Sequence, residues 1–424
     1  MLKYSPVLAY TSFSIKNLGR YSTTEYIIKG FLNAFLLSLF IYLNFFNLNN
    51  LTILKIINST VAILGFYLVL KSPREILFWS GLFIGLLWFY WIGFSFRYYD
   101  ASYAIPFMMI FIALVYGIIF WFIGIFHVAI RAILILLLSY FHPLNFNWFV
   151  PELTLIDSFF GVEKWQFALF LLAIVLFILI KNSYRYLSIL ILIASINFIP
   201  EDKLPLPNQK IYLSSLHTPQ ELKWKDEYRD KSININLNII HQAIAKKYDT
   251  VVISESAFPI FLNMTPNLMI KLRKLSQNIN IVTGGLYTDG KDSYNSTYYF
   301  IKGEVKIANK VVLVPFGEEI PLPSFISKQI NRILYNGADD YIAAKNPTDI
   351  ELKGEIFRNA ICYEATREEL FVNNPKFMIA MSNNAWFTPS IEPTLQHLLL
   401  KYFSKLHKTV IFHSANMSES GVIR

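Results

Sequence analysis

Residues 27–200 form a succession of apolar segments, each long enough or nearly long enough to cross a hydrocarbon core, which takes roughly 20 helical residues. The pattern predicts spans near 27–46, 51–70 and 76–96, two within 103–141, and two more at 165–181 and 186–200. Only His127 and Arg131 interrupt the 103–141 stretch. At about 1.5 Å per residue it is too long for one crossing and fits a tight helical hairpin. The pattern therefore predicts seven crossings.

The period changes after "IPEDKLPLPNQK" (199–210), where Pro200, Pro205 and Pro207 favour an extended linker. Short β-rich runs then alternate with amphipathic stretches. Strands are predicted at "KIYLSSL", "TVVISE", "INIVTGGLY", "EIFRNAIC", "KFMIAMS" and "TVIFHSA". Helices are predicted over 227–247, 266–276, 365–373 and 392–407, and a hairpin over 296–314 turns near Lys302-Gly303. Apolar strands alternating with helices predict an α/β domain with a covered sheet. The expected organisation is a short segment 1–26, a membrane bundle 27–200 and an α/β domain 201–424.

Composition agrees with the pattern: 54% of residues are hydrophobic and only 16% charged, too apolar for an ordinary soluble domain. The net charge of +9 forms no basic block or stripe, which argues against nucleic acid as a partner. Its placement suggests an orientation instead. Lys3, Lys16, Arg20, Lys71, Arg74, Arg131, Lys181 and Arg185 fall on one side of a seven-span bundle, and the positive-inside rule makes that side cytoplasmic. Arg97, Asp100, Glu152, Asp157, Glu163 and the α/β domain fall on the other. The first apolar run starts late and lacks a small-x-small cleavage site, so the first span is expected to stay as an anchor. One cysteine excludes an intramolecular disulfide, and the seven histidines show no metal-ligand spacing. No metal or other cofactor is expected.

Polar side chains at the carboxyl ends of strands face the crevice where α/β folds bind ligands. Glu255 ends "TVVISE", Cys362 ends "EIFRNAIC", and Lys310 follows the hairpin in "ANKVVLVPFGEEIP". A thiol at a strand-to-helix turn near a lysine is expected to favour thiolate, and a neighbouring carboxylate to exchange its proton. Taken singly, the cysteine reads as a small core hydrophobe, the lysine as a solvated charge and the glutamate as a rim residue. Composition and spacing stop at a possible cysteine enzyme facing the membrane.

The strings "SESAFP" (254–259), "KVVLVPFGEEIP" (310–321), "ICYE" (361–364) and "SNNAWF" (382–387) resemble the glutamate, lysine and cysteine blocks of the nitrilase superfamily. Within it they look most like the apolipoprotein N-acyltransferases, as does "TPQELKW" (218–224). The resemblance implies a multi-pass bundle followed by a periplasmic αββα sandwich, in a bacterial inner-membrane protein. It further implies Glu255 as general base, Lys310 as oxyanion-stabilising cation and Cys362 as nucleophile. Glu318, Tyr363, Glu364 and Trp224 match supporting or substrate-side positions. The implied reaction is ping-pong: a phospholipid acyl group passes to Cys362 and then to the α-amine of a diacylglyceryl-modified apolipoprotein. A monomer is expected.

Apolar loops at 256–266 and 320–330 would flank the site, with Phe258, Phe261, Leu262, Leu322 and Phe325 available to acyl chains. The sequence departs from the family pattern at Ser254, Asn384 and Thr388, and "KYFSKLHKTVIFHSAN" replaces an arginine-rich stretch. It ends at Arg424, where the family's last strands and a final transmembrane helix are expected to be lacking. The rival readings are a membrane-anchored amidase, with water resolving the thioester, and a non-catalytic scaffold or transporter. The scarcity of ionisable residues in the spans weighs against transport.

Overall fold

The computed structural model describes residues 22–48, 50–198, 204–315, 317–319, 329, 332 and 341–424. Lys3, Lys16, Arg20, the start of the 199–210 linker, Leu322 and Phe325 lie outside the described residues. The first half contains α1 (Thr23–Phe45), α2 (Leu51–Lys71), α3 (Arg74–Phe89), α4 (Ile105–Ile123), α5 (Val128–Leu137), α6 (Lys164–Leu179) and α7 (Ser188–Ala194). Ser22 and Asn50 cap α1 and α2, their side chains accepting from the Glu25 and Ile53 N–H groups.

Among the described residues the first half has seven apolar helices, of which four segments are long and apolar enough to cross a membrane: Thr23–Phe45, Leu51–Lys71, Arg74–Tyr98 and Ser102–Ile123. Val128–Tyr140, Lys164–Leu179 and Ser183–Ala194 are shorter. At about 1.5 Å per residue the first of these reaches about 20 Å, against a core of about 30 Å. Beyond it the chain proceeds through 3-10 turns at Pro143–Asn145 and Pro151–Leu155, each opening on a proline that lacks the N–H needed to continue a helix.

Gly81 and Gly85, in "GLFIG", let α3 approach α4. A Cβ at Gly81 would lie 2.2 Å from the Tyr116 carbonyl oxygen, and one at Gly85 2.9 Å from the Ala113 Cα. Arg131 has a definite job at the predicted turn. Its guanidinium donates to the Leu70, Ser72, Gly124 and Phe126 carbonyls, tying the end of α2 to the α4–α5 turn.

The second half is an αββα sandwich. One sheet has the order β1 (Ile211–Leu213), β3 (Thr250–Val252), β5 (Asn280–Thr288), β6 (Ser293–Ile301), β7 (Glu304–Asn309), with β4 (Phe258–Phe261) also on β5. The other has the order β12 (Gly421–Ile423), β11 (Val410–Asn416), β10 (Phe377–Asn383), β9 (Glu355–Ile361), β8 (Asp349–Leu352), with β2 (Ser215–Leu216) on β11. The strand predicted at 210–216 divides at Ser214, β1 joining the first sheet and β2 the second.

Val252, Val282 and Tyr299 of the first sheet pack against Phe357, Ile379 and Phe412 of the second, forming the inner core. After the short α8 (Gln220–Lys223), α9 (Asp226–Ala245) and α10 (Pro266–Leu275) cover the outer face of the first sheet through Leu237, Ile240, Leu268 and Leu272. The outer face of the second sheet is covered by α11 (Glu392–His407), whose Leu395, Leu399 and Phe403 share one apolar cluster with Phe66, Trp88 and Phe167 of the membrane half. The two halves therefore share a core. The helix predicted at 365–373 is instead a pair of 3-10 turns, Cys362–Thr366 and Glu368–Phe371.

Polar contacts fix the same junction. The Tyr363 hydroxyl donates to the Asn145 carbonyl at 3.0 Å and accepts from the Asn147 N–H at 3.2 Å. Lys401 of α11 pairs with the buried Asp157, and the Arg97 guanidinium donates to the Thr388 carbonyl.

Candidate active site

The Glu255 carboxylate owes its place to a tight turn. β3 ends at Val252, so Glu255 lies beyond the strand, and Ser256 adopts a left-handed backbone with φ of 47°. The turn lies directly over β5 because Gly284 has no side chain. A Cβ there would be 2.4 Å from the Ser256 nitrogen and 2.8 Å from the Glu255 Cα. The Lys223 ammonium donates to the Glu255 carbonyl at 3.0 Å from below the turn. The Glu255 side chain accepts from Asn295 Nδ2 at 2.8 Å.

Lys310 leaves the end of β7 fully buried. Its Nζ lies 2.6 Å from Glu318 Oε2 and 3.9 Å from Glu255 Oε1. Burial opposes its charge, but the Glu318 and Glu255 carboxylates outweigh burial and hold it protonated, above the ordinary lysine pKa. Asn295 donates to both carboxylates, at 2.8 Å each, and so spaces them around the ammonium. Among the described residues the ion-pair partners of Lys310 Nζ are the Glu318 and Glu255 carboxylates, which leaves part of its three-donor capacity available to a ligand oxygen.

Cys362 stands where β9 passes into the 3-10 turn, with φ of 55°, a conformation that costs a non-glycine residue about 1–3 kcal/mol. Gln396 Nε2 of α11 is 3.8 Å from its Sγ. The expectation of a ready-formed thiolate is not met. Burial, and then Glu255, push the thiol well above its usual pKa; Lys310 pulls it down, and Glu392 and Glu318 push it further up. The helix that was to stabilise a thiolate is only the single turn Cys362–Thr366, so the thiol needs a base.

Glu364 is a positioning group. One oxygen accepts from the Val311 and Val312 N–H groups at 2.6 and 3.0 Å, the other from the Ile361 N–H at 2.8 Å. It thereby ties the segment after Lys310 to the Cys362 turn. Burial raises its pKa to about 7 against the opposing pull of Lys310 and of those N–H groups. The Tyr363 side chain points away from the site, into the junction, where it stacks on Phe146 with ring centroids 5.8 Å apart. Trp224 is partly exposed and lines the pocket with Glu255, Glu318 and Cys362.

Of the residues predicted to meet acyl chains, Phe258 and Leu262 fill the core under α9 and α10, while Phe261 is partly exposed. The apolar walls of the pocket come instead from Tyr99, Val314, Trp386 and Phe387. Val314, Gly317 and Phe387 also border a second, almost wholly apolar cavity that runs into the membrane half between Phe89, Ile92, Met108 and Phe111.

Sequence reasoning missed Asn295, Lys223, Gln396 and the buried Glu392. Lys223 is the one with a local signal, standing beside Trp224 in "QELKW". No group of three or more His, Cys, Asp or Glu suited to a metal occurs among the described residues.

Comparison with known proteins adds the relatives. A family model described as the apolipoprotein N-acyltransferase integral membrane domain matches residues 24–198. The apolipoprotein N-acyltransferase of Wolinella succinogenes is 41% identical over 425 residues, covering 100% of both chains. That of Helicobacter pylori is 40% identical and covers 87% of each chain. Among solved structures, a CN-hydrolase superfamily protein from Xanthomonas campestris overlays with a TM-score of 0.39 at 14% identity, covering 51% of this chain and 83% of that one.

Proposed function

The chain belongs to the apolipoprotein N-acyltransferase family, and from that premise we propose that it carries an acyl chain on Cys362 from a membrane phospholipid to the α-amine of a diacylglyceryl-cysteine. One observation carries this reading. The pocket holding Glu255, Glu318 and Cys362 shares Val314, Gly317 and Phe387 with an apolar cavity in the membrane half. A thiol at that junction suits a substrate whose reactive ester is polar and whose tail is not.

In the first half-reaction Glu255 takes the Cys362 proton as sulfur attacks the ester carbonyl. The resulting oxyanion accepts from Lys310 Nζ, whose charge is set by Glu318; such a donor is worth about 3 kcal/mol in comparable sites. The ester C–O bond breaks, Glu255 returns the proton to the leaving oxygen, and lysophospholipid departs from an acyl thioester. In the second half-reaction the neutral α-amine attacks the thioester and gives a proton to Glu255. The C–S bond breaks, and the sulfur recovers that proton. A raised thiol pKa suits both halves, because a resting thiol does not ionise beside two carboxylates and a thiolate is generated only as the base acts.

The α/β domain would lie on the periplasmic face of the inner membrane. The segments meeting it, around Arg97 and Asn145–Asp157, lie on the predicted extracytoplasmic side, whereas Lys71, Arg74 and Arg131 cluster at the turns that Arg131 ties together. The chain would work as a monomer.

The test supplies phosphatidylethanolamine labelled in its acyl chains, with and without a diacylglyceryl-cysteinyl peptide. Label on the peptide through an alkali-stable amide supports transfer. Free fatty acid as the sole product supports the membrane-anchored hydrolase.

A further inference from the structure

The mechanism uses Lys310 and leaves a second buried lysine unexplained. Lys223 is only 3% exposed and lies one residue before Trp224, which lines the pocket. It shares the buried face of α8 with Gln220, three residues earlier. Both side chains are bonded to pocket residues: Gln220 accepts from Asn383, and Lys223 donates to the Glu255 carbonyl at 3.0 Å. The acceptor is the peptide between Glu255 and the left-handed Ser256, the same peptide that Gly284 admits onto β5.

We propose that Lys223 is a positioning residue of the site, fixing the turn that carries Glu255 and adding a second positive charge beneath the pocket that Glu255 and Cys362 share. Buried charges need partners. Glu255 and Glu318 bring two carboxylates and Lys310 one ammonium, with the buried carboxyls of Glu364 and Glu392 nearby. Lys223 brings a second ammonium. Burial lowers its pKa to about 8, while Glu255 and Cys362 favour its charge. It is therefore protonated below about pH 8 and loses its charge above it. A group that merely filled space would not affect the thiol; a cation stabilises the thiolate at the moment it forms.

This inference rests on Cys362 being the reactive group, and its test needs no lipid. Cys362 is the only cysteine, so alkylation of the full-length, detergent-solubilised protein by iodoacetamide reports on that thiol alone. In K223M alkylation near pH 7 is expected to be several-fold slower, and the difference to close well above pH 8, where Lys223 has lost its charge. In K223R, where the charge cannot be lost, alkylation near pH 7 stays at or above the rate of the unmodified protein. K223Q can still donate to the Glu255 carbonyl but carries no charge, and it is expected to be slowed as K223M is. An unchanged rate near pH 7 in K223M or K223Q overturns the proposal, and K223Q decides if K223M does not fold. Since no acyl donor takes part, failure of acyl transfer would leave this result readable.

Discussion

Replacing Gly284 with alanine adds one methyl group outside the pocket and acts on the reaction only through Glu255. The new Cβ would be 2.4 Å from the Ser256 nitrogen and 2.9 Å from the Glu255 carbonyl carbon, both of them backbone atoms. Real Cβ contacts essentially never fall below 3.0 Å, so the turn must retreat by at least 0.6 Å, the difference between 3.0 and 2.4. The Glu255 carboxylate moves with it, out of its present register with Asn295 and Cys362. Overpacking of this kind costs about 1–3 kcal/mol, from which about 0.5–1 kcal/mol is recovered because alanine loses less backbone entropy than glycine in a strand. Melting should therefore fall only modestly. Displacement of a catalytic group by about 1 Å costs on the order of 100-fold in rate. Single-turnover acylation of Cys362 by labelled phosphatidylethanolamine, read by intact mass, should slow by about that factor while the protein remains folded. Acylation at the unmodified rate in G284A would refute this account of how Glu255 is placed.

Asn295→Ala removes the amide that bridges Glu255 and Glu318, and acyl-enzyme formation should drop by about tenfold or more, since each lost hydrogen bond to a charged group is worth about 1.5–3 kcal/mol. Tyr363→Phe unties the hydroxyl from Asn145 and Asn147 and should lower the melting temperature by an amount equivalent to about 1–3 kcal/mol, with acylation retained within a few-fold. Because the folded-state pKa of Glu364 is raised from 4.5 to about 7, its contribution to stability is present in full below pH 4.5 and is lost as the pH rises through 7. That change amounts to about 3 kcal/mol, so the stability of the unmodified protein relative to E364Q should fall by about this much between pH 5 and pH 8.

The strands with the strongest apolar runs were legible because they are buried on both faces: β10 and β11 match "KFMIAMS" and "TVIFHSA" to within a residue. The short strands β8 and β12 carry no such run, and β4, "FPIF", is apolar but interrupted by a proline, so only pairing with longer neighbours makes them strands. Apolar periodicity located the seven described helices of the first half, but it could not tell that Val128–Tyr140, Lys164–Leu179 and Ser183–Ala194 are shorter than the other four. The first of these gives way to the prolines and 3-10 turns of the 138–157 segment, which pack beneath α11. Glu255, Lys310, Glu318 and Cys362, which the structure brings together, could be singled out as candidates from their local strings. Asn295, Gln396 and Glu392 could not, because each lies on an element that sequence distance separates from those strings and only the sandwich topology brings near. The thiol was misjudged for a related reason: a helix N-terminus can be anticipated from sequence, whereas the placing of a half-buried Cys362 against the inner core and among acidic neighbours cannot.

Nucleophilic catalysis by Cys362 is tested most directly by the mass of its peptide after the full-length protein has been incubated with phosphatidylethanolamine and no acceptor. The expected result is a gain of one acyl chain on Cys362, removed by hydroxylamine as a thioester and absent in C362A. A folded protein that transfers acyl chains while Cys362 remains unacylated, or a C362A variant that still does so, would contradict it.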